Sequence, residues 1–145
     1  MGKYKQIIIR VRGIIIYEDK LLLVGIVSNN YFCLPGGKLE YNEDPKECLS
    51  RELIEELGVN PDIGNLLYLN TFIDKENNHN LDFVFEVRNG ADYVNLDGLE
   101  RTHAFELDKI YWVSRDEDIN FLPKTIINDF KNNNISSNEV KYIKD

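Results

Sequence analysis

Residues 37–59 read GKLEYNEDPKECLSRELIEELGV, and the organisation of the chain can be worked outward from this stretch. Asp44 supplies an N-cap, Pro45 fits the first helical position and Glu47 completes a capping box, so a helix starts here. The pattern predicts that it runs to about Leu57 and stops at Gly58, a residue free to take the left-handed conformation of a C-cap. Leu49, Leu53 and Leu57 recur every four residues with Ile54 beside them, giving a face expected to pack on a sheet.

The same helix holds Glu52, Glu55 and Glu56 in an arrangement that helix physics disfavours. Spacings of three and four residues set Glu55 and Glu56 beside Glu52, and like charges so placed cost a few tenths of a kcal/mol per pair, roughly. Glu55 and Glu56 also sit at the negative end of the helix dipole, which costs roughly 0.3 to 1 kcal/mol each. A bound cation reverses both penalties. Three carboxylates are hard oxygen donors that suit Mg²⁺, with Mn²⁺ as the alternative, better than zinc. The competing reading is an acidic amphipathic helix with a solvated face.

Upstream, Gln6 to Tyr17 is rich in Ile and Val and reads as a strand, Glu18-Asp19-Lys20 as a tight turn, and Leu21 to Ile26 as the hairpin partner. Tyr31 to Leu34 reads as a short third strand, broken by Pro35-Gly36-Gly37. Downstream, Asn65 to Phe72, Leu81 to Val87 and Ile110 to Val113 read as strands and Pro123 to Phe130 as a second helix. Asn132 to Asn138 is a polar connector before a terminal segment, Glu139 to Asp145, whose structure the pattern does not define. One domain over residues 1–145 is expected, with 132–145 as connector and terminal segment.

The chain has 145 residues, 43% hydrophobic, with 17 Lys plus Arg against 25 Asp plus Glu for a formal charge of −8. A chain of that size buries enough surface for a core without metal or disulfide staples. Its acidity opposes polymeric nucleic acid and anionic membrane surfaces. Apolar runs such as Leu21 to Val27 fall far below the roughly 18 residues of a membrane span, and no signal pattern opens the chain. Gln6 stands where a Met1-Gly2 myristoylation start wants Ser or Thr. Cys33 and Cys48 lie outside any CxxC pair, so two free thiols and a cytoplasmic setting are expected.

Gly37, Glu43, Arg51, Glu52, Leu53, Glu55, Glu56, Gly58 and Val59 match position for position the pattern Gx5Ex7REUxEExGU, with U a bulky aliphatic residue. From average residue frequencies, a chance match in a chain this long is on the order of one in ten million. The pattern is the Nudix box, and the chain resembles the Nudix hydrolases, which cleave a nucleoside diphosphate linked to a variable group. The resemblance extends over about residues 6 to 131 and implies an α/β fold: an α/β/α sandwich with a mixed central β-sheet and a catalytic loop-helix-loop.

It further implies that Glu52, Glu55 and Glu56, with the main-chain carbonyl of Gly36, hold divalent metal, and that a glutamate deprotonates the attacking water, Glu52 being the first candidate. Arg51 is expected to pair with Glu43 and orient the helix against its loop. Gly37, Glu43 and Gly58 complete the structural part of the box. A further acid usually comes from the loop before the last central strand, where Glu106 is preferred over Glu100 and Asp108.

For the substrate, Arg10 and Arg12 alternate onto one face of the first strand within reach of phosphates or a terminal ribose, and Lys38 adjoins the glycines. Tyr31, Phe32, Tyr41, Phe72, Phe83 and Phe85 include candidates for stacking on a base, though aromatic residues in strands are mostly core. Subfamily markers do not decide. Lys75 stands where ADP-ribose pyrophosphatases typically carry proline, and Tyr68 comes too early for the tyrosine of dinucleoside polyphosphate hydrolases. The flanks of Cys33 do not fit an isoprenoid diphosphate isomerase. Gly36-Gly37-Lys38 fails as a P-loop, and His79 and His103 show no metal-ligand spacing.

The expectation is therefore a Mg²⁺-dependent hydrolase of a small nucleoside diphosphate derivative, of nucleotide-sugar or ADP-ribose type. The alternatives are a (d)NTP pyrophosphohydrolase that includes oxidised nucleotides, and a non-catalytic nucleotide sensor. A small-molecule nucleotide is the expected partner, without polymeric nucleic acid or membrane. The family's frequent dimers make a homodimer a weaker expectation.

Overall fold

A computed structural model describes residues 5–26, 32–96, 107–119, 121 and 123–145, the side chains of Ile26 and Leu107 to Lys109 excepted. Helix α1 spans Pro45–Leu57 with both ends fixed by their own sequence. Asp44 accepts from the Glu47 N–H, the Glu47 side chain accepts from the Asp44 N–H, and Gly58 closes the helix at φ 78°. No basic residue occupies its last turn.

Strands β1 (Ile7–Tyr17) and β2 (Lys20–Ile26) form a hairpin whose turn is only Glu18 and Asp19, both at positive φ, with Tyr17 opposite Lys20. Strand β3 (Phe32–Cys33) pairs with β2. The Pro-Gly-Gly break is followed at once by strand β4 (Gly36–Lys38), antiparallel to Arg10–Arg12 of β1. A glycine-rich stretch read as loop is thus part of the sheet, because its partner already offers an unpaired edge there.

After α1 come β5 (Ile63–Ile73), β6 (His79–Val87), a 3-10 turn (Gly90–Tyr93) and β7 (Leu107–Ser114), which pairs with β2. Helix α2 (Lys124–Lys131) follows, and the terminal segment forms strand β8 (Lys141–Ile143), parallel to β5. The sheet runs β3-β2-β1-β6-β5-β8, with β4 on β1 and β7 on β2. It is mixed: β1 and β6 are parallel, registered from Ile7 against His79 to Ile15 against Val87.

Alternation along β1 directs the two cores. Val11 and Ile15 join Leu49, Leu53 and Leu57 of α1 together with Phe85 and Val87. Ile14, on the opposite face, joins Ile126, Ile127 and Phe130 of α2 with Tyr68 and Val84. Each leucine of α1 is fully buried, a contribution of about 1.5 to 3 kcal/mol apiece. Ile54 does not share that face. It is 45% exposed, and Cys48 takes the fourth buried position. Both cysteines are free. No helix among the described residues is long and apolar enough to cross a membrane.

Candidate active site

The packing of α1 across β1 and β4 lays its charged face against the glycine strand. The Cys48 thiol donates to the carbonyl of Lys38 at 3.4 Å, and burial pushes that thiol up to about 12, so it stays protonated. Gly37 makes the close approach that any larger residue would forbid, since a Cβ there would lie 2.2 Å from Cδ of Glu52.

Arg51 stands at the centre of the box. Its Nε and Nη2 donate to the two oxygens of Glu43 at 2.7 and 3.1 Å, a bidentate pair. Nη1 donates to Glu52 at 2.9 Å and to Glu55 at 3.5 Å, and Nη2 also reaches the Lys38 carbonyl at 3.1 Å. Glu43 in turn accepts from the Glu40 N–H at 3.0 Å. These bonds tie helix, loop and strand together. The hydrogen bond from Arg51 holds Glu43 below the usual carboxylate range, and Glu43 and Glu52 raise Arg51 well above its ordinary value.

Glu56 lies deeper. One of its oxygens, Oε2, is buried without a hydrogen-bond partner among the described residues. Burial, then the charge of Glu52, push the Glu56 carboxyl up to about 8, against the pull of Arg12 and of the Gly36 N–H. Glu52 therefore acts on Glu56 as a like charge at close range.

As they stand, the three acids are not gathered around one point, and among the described residues no group of three His, Cys, Asp or Glu side chains is arranged to enclose an ion. Glu52 and Glu55 are held by Arg51, while Glu56 turns to Gly36. The donor set nevertheless fits a hard divalent cation. It offers two carboxyls whose like charges oppose each other and a buried oxygen without a hydrogen-bond partner among the described residues, both of which a cation would relieve.

Arg10 and Arg12 emerge on the α2 side of β1. Arg10 donates to Asn80, and Arg12 donates to the Leu34 carbonyl at 2.9 Å. Lys38 is exposed, and the box uses its carbonyl. Glu106, Glu100, Tyr31 and His103 lie outside the described residues, as does the side chain of Asp108. Among the aromatic candidates, Phe85 is core and Phe83 packs against it, Tyr41 is fully exposed, and Phe32 packs at 5.6 Å on Tyr111. His79 is exposed, its Nε2 2.8 Å from the Thr71 hydroxyl.

The sequence reading passed over Asn70, Asn80 and Asp82. All three are buried, and they line the same face as Arg10 and Arg12. Their signal is in the alternation of β6, where Leu81, Phe83 and Phe85 occupy one face and Asn80 and Asp82 the other.

A mixed sheet between two helices, with glutamates on one helix facing a glycine strand, defines an α/β sandwich class. The chain belongs to the Nudix hydrolase family: the NUDIX domain model matches residues 8–129. An ADP-ribose pyrophosphatase of Methanocaldococcus jannaschii is 31% identical over 118 residues, 70% of this chain and 69% of the relative. Among solved structures, a UDP-X diphosphatase superposes with a TM-score of 0.73 at 19% identity, covering 98% of this chain and 69% of the other. A MutT protein from Methanosarcina mazei Go1 does so at 0.68 and 25% identity, covering 90% and 95%. Nudix hydrolases act on small nucleotide substrates and generally use divalent metal ions.

Proposed function

We propose that this Nudix hydrolase uses Mg²⁺ to cleave the diphosphate link of a small nucleoside diphosphate derivative, of the ADP-ribose or nucleotide-sugar type. The observation that carries the reading is the buried, unpartnered Oε2 of Glu56 beside the carboxyl of Glu52. Such an arrangement is unfavourable in a resting protein and favourable around a cation. The likeness to a protein named ADP-ribose pyrophosphatase supports the substrate class.

In this reading Glu52, Glu55 and Glu56 hold the metal with the Gly36 carbonyl, and Glu106 supplies a further acid. A divalent cation held there would neutralise the diphosphate oxygens and lower the pKa of a bound water. Glu52 takes the proton of the attacking water. Arg51 is a positioning residue, holding Glu52 and Glu55 through its own fixed pairing with Glu43. Arg10, Arg12 and Lys38 supply positive charge for the phosphates, which the chain's overall acidity does not. The domain spans residues 1–145, and its setting is the cytoplasm.

The test is a substrate panel of ADP-ribose, UDP-sugars and dNTPs, assayed with Mg²⁺ and with chelator. Release of nucleoside monophosphate and a sugar phosphate is expected. Pyrophosphate release from a dNTP alone would replace the substrate class, and turnover undiminished by chelator would remove the metal.

A further inference from the structure

Behind the acids, on the α2 face of the sheet, the register sets Arg10 of β1, Asp82 of β6 and Asn70 of β5 in one row. Two amides of this patch are occupied by the protein itself. Asn70 Oδ1 accepts from the Asp145 N–H at 3.0 Å, while Asn80 accepts from Arg10 and donates to Asp74 at 2.9 Å. Asp82 differs from them. It is 8% exposed, and its Oδ1 is buried with no hydrogen-bond partner among the described residues.

Arg10 and Arg12 act on Asp82 through charge and not through a hydrogen bond, and burial outweighs them, so its carboxyl lies above the ordinary range. An acceptor withdrawn from water and left unmatched is costly to any fold, and a ligand donor removes that cost.

The neighbours restrict which ligand fits. A phosphate held by the arginines cannot satisfy Oδ1, because its oxygens are themselves acceptors, and a metal ion is repelled by the two guanidiniums. An apolar group leaves Oδ1 unsatisfied. A neutral N–H or O–H donor meets none of these objections. The position relative to the acids is set by Arg12, whose charge reaches both Glu56 and Asp82. A substrate whose diphosphate lies at the acids would therefore extend its attached group past Arg12 toward Asp82.

We propose that Asp82 is a specificity-determining residue, accepting a hydrogen bond from a neutral N–H or O–H donor on the group joined to the diphosphate. The placement of the diphosphate rests on the proposed function. A base edge and a sugar hydroxyl offer the same chemistry, and ligands that differ in one or the other separate them.

The experiment measures calorimetric binding of ADP-ribose, 2′-deoxy-ADP-ribose, UDP-glucose and inorganic pyrophosphate to the wild type, Asp82→Asn and Asp82→Ala, with the hydrolysis panel run in parallel. Asp82→Ala is expected to weaken the preferred nucleotide about tenfold and leave pyrophosphate unchanged. The ligand that the substitution no longer distinguishes from the preferred one identifies the donor. Asp82→Asn keeps the size of the side chain and an acceptor oxygen, so that variant should melt close to the wild type. Unchanged nucleotide affinity in Asp82→Ala overturns the assignment, as does equal loss for pyrophosphate, or nucleotide binding too weak to detect in the wild type. Asp82-dependent binding without turnover of any panel member would sink the hydrolytic reading and leave Asp82 standing. Turnover with KM indifferent to Asp82 would do the reverse.

Discussion

Arg51 in α1 and Arg12 in β1 both lie among carboxylates, yet their surroundings differ in kind. Arg51 spends its donors within the box, on Glu43, Glu52, Glu55 and the Lys38 carbonyl. The charge of Arg12 reaches both Glu56 and Asp82, and each of those acids keeps a buried oxygen without a hydrogen-bond partner among the described residues. Among the described residues, the carboxylates of the first region have partners, while the second keeps two buried oxygens without one. On the proposed function, that difference separates residues that hold geometry from residues that receive a ligand, and it can be attacked from both sides.

The largest effect is expected at the incomplete side. Glu56→Gln should lower kcat/KM for diphosphate cleavage by several orders of magnitude, about 10³-fold or more, because one ligand of a charge-dense site is gone. Activity within tenfold of the wild type would show that the buried oxygen has another purpose.

On the satisfied side, Arg51→Ala should reduce kcat by about 10- to 100-fold through misplacement of Glu52 and Glu55. It should also lower metal affinity, which fluorescence or calorimetric titration reads separately from turnover. Arg51→Lys should recover little, since an ammonium cannot reproduce the fork on Glu43. Full recovery by lysine would reduce Arg51 to a source of charge.

A third effect tests the strain directly. Glu56 sits near 8 in the folded protein against an ordinary value of 4.5, so the folded state binds the proton more tightly than the unfolded chain. Stability of the metal-free protein should then fall as pH rises from about 5 to 8 and level off above, with a slope of at most about 1.4 kcal/mol per pH unit. Urea denaturation across that range should show the decline for the wild type and its absence for Glu56→Gln. Saturating Mg²⁺ should flatten the curve.

The smallest expected change lies away from both regions. Removing residues 139–145 takes away β8, the Lys141 to Asp129 bond at 2.9 Å and the donor to Asn70 Oδ1. A loss of about 1 to 3 kcal/mol in denaturant midpoint analysis is expected, with the metal affinity of the box unaltered.

Helix α1 was legible because its signals are local: Asp44, Pro45, Glu47 and Gly58 act within a few residues of where they stand. The mixed sandwich followed from the box and the strand pattern. Strand β4 was not legible, since Gly36 and Gly37 carry no strand propensity of their own and are drawn into the sheet by the edge of β1. Strand β8 pairs with residues some seventy positions earlier, a contact no local pattern announces. Ile54 stands beside the four-residue row of leucines yet is 45% exposed, one step further round the helix than Leu53, while Cys48 is buried. In the candidate site, the acids and Arg51 stood out by spacing. Asp82 did not, as a lone acid in a strand ordinarily signals a solvated face, and only the covering of that face makes it unusual.

The long parallel register between β1 and β6 also bears on how the protein assembles. It joins Ile7–Ile15 to residues 72 positions later, through His79–Val87, so the row that sets Arg10 beside Asp82 depends on closing one of the chain's widest loops. A slip of one residue would turn Asp82 toward α1 and an aromatic side chain toward the arginines. During synthesis, α1 can form as soon as its own residues emerge. The row of Arg10 and Asp82 has to wait until β6 has followed, which makes that face a late product of folding and the acid helix an early one.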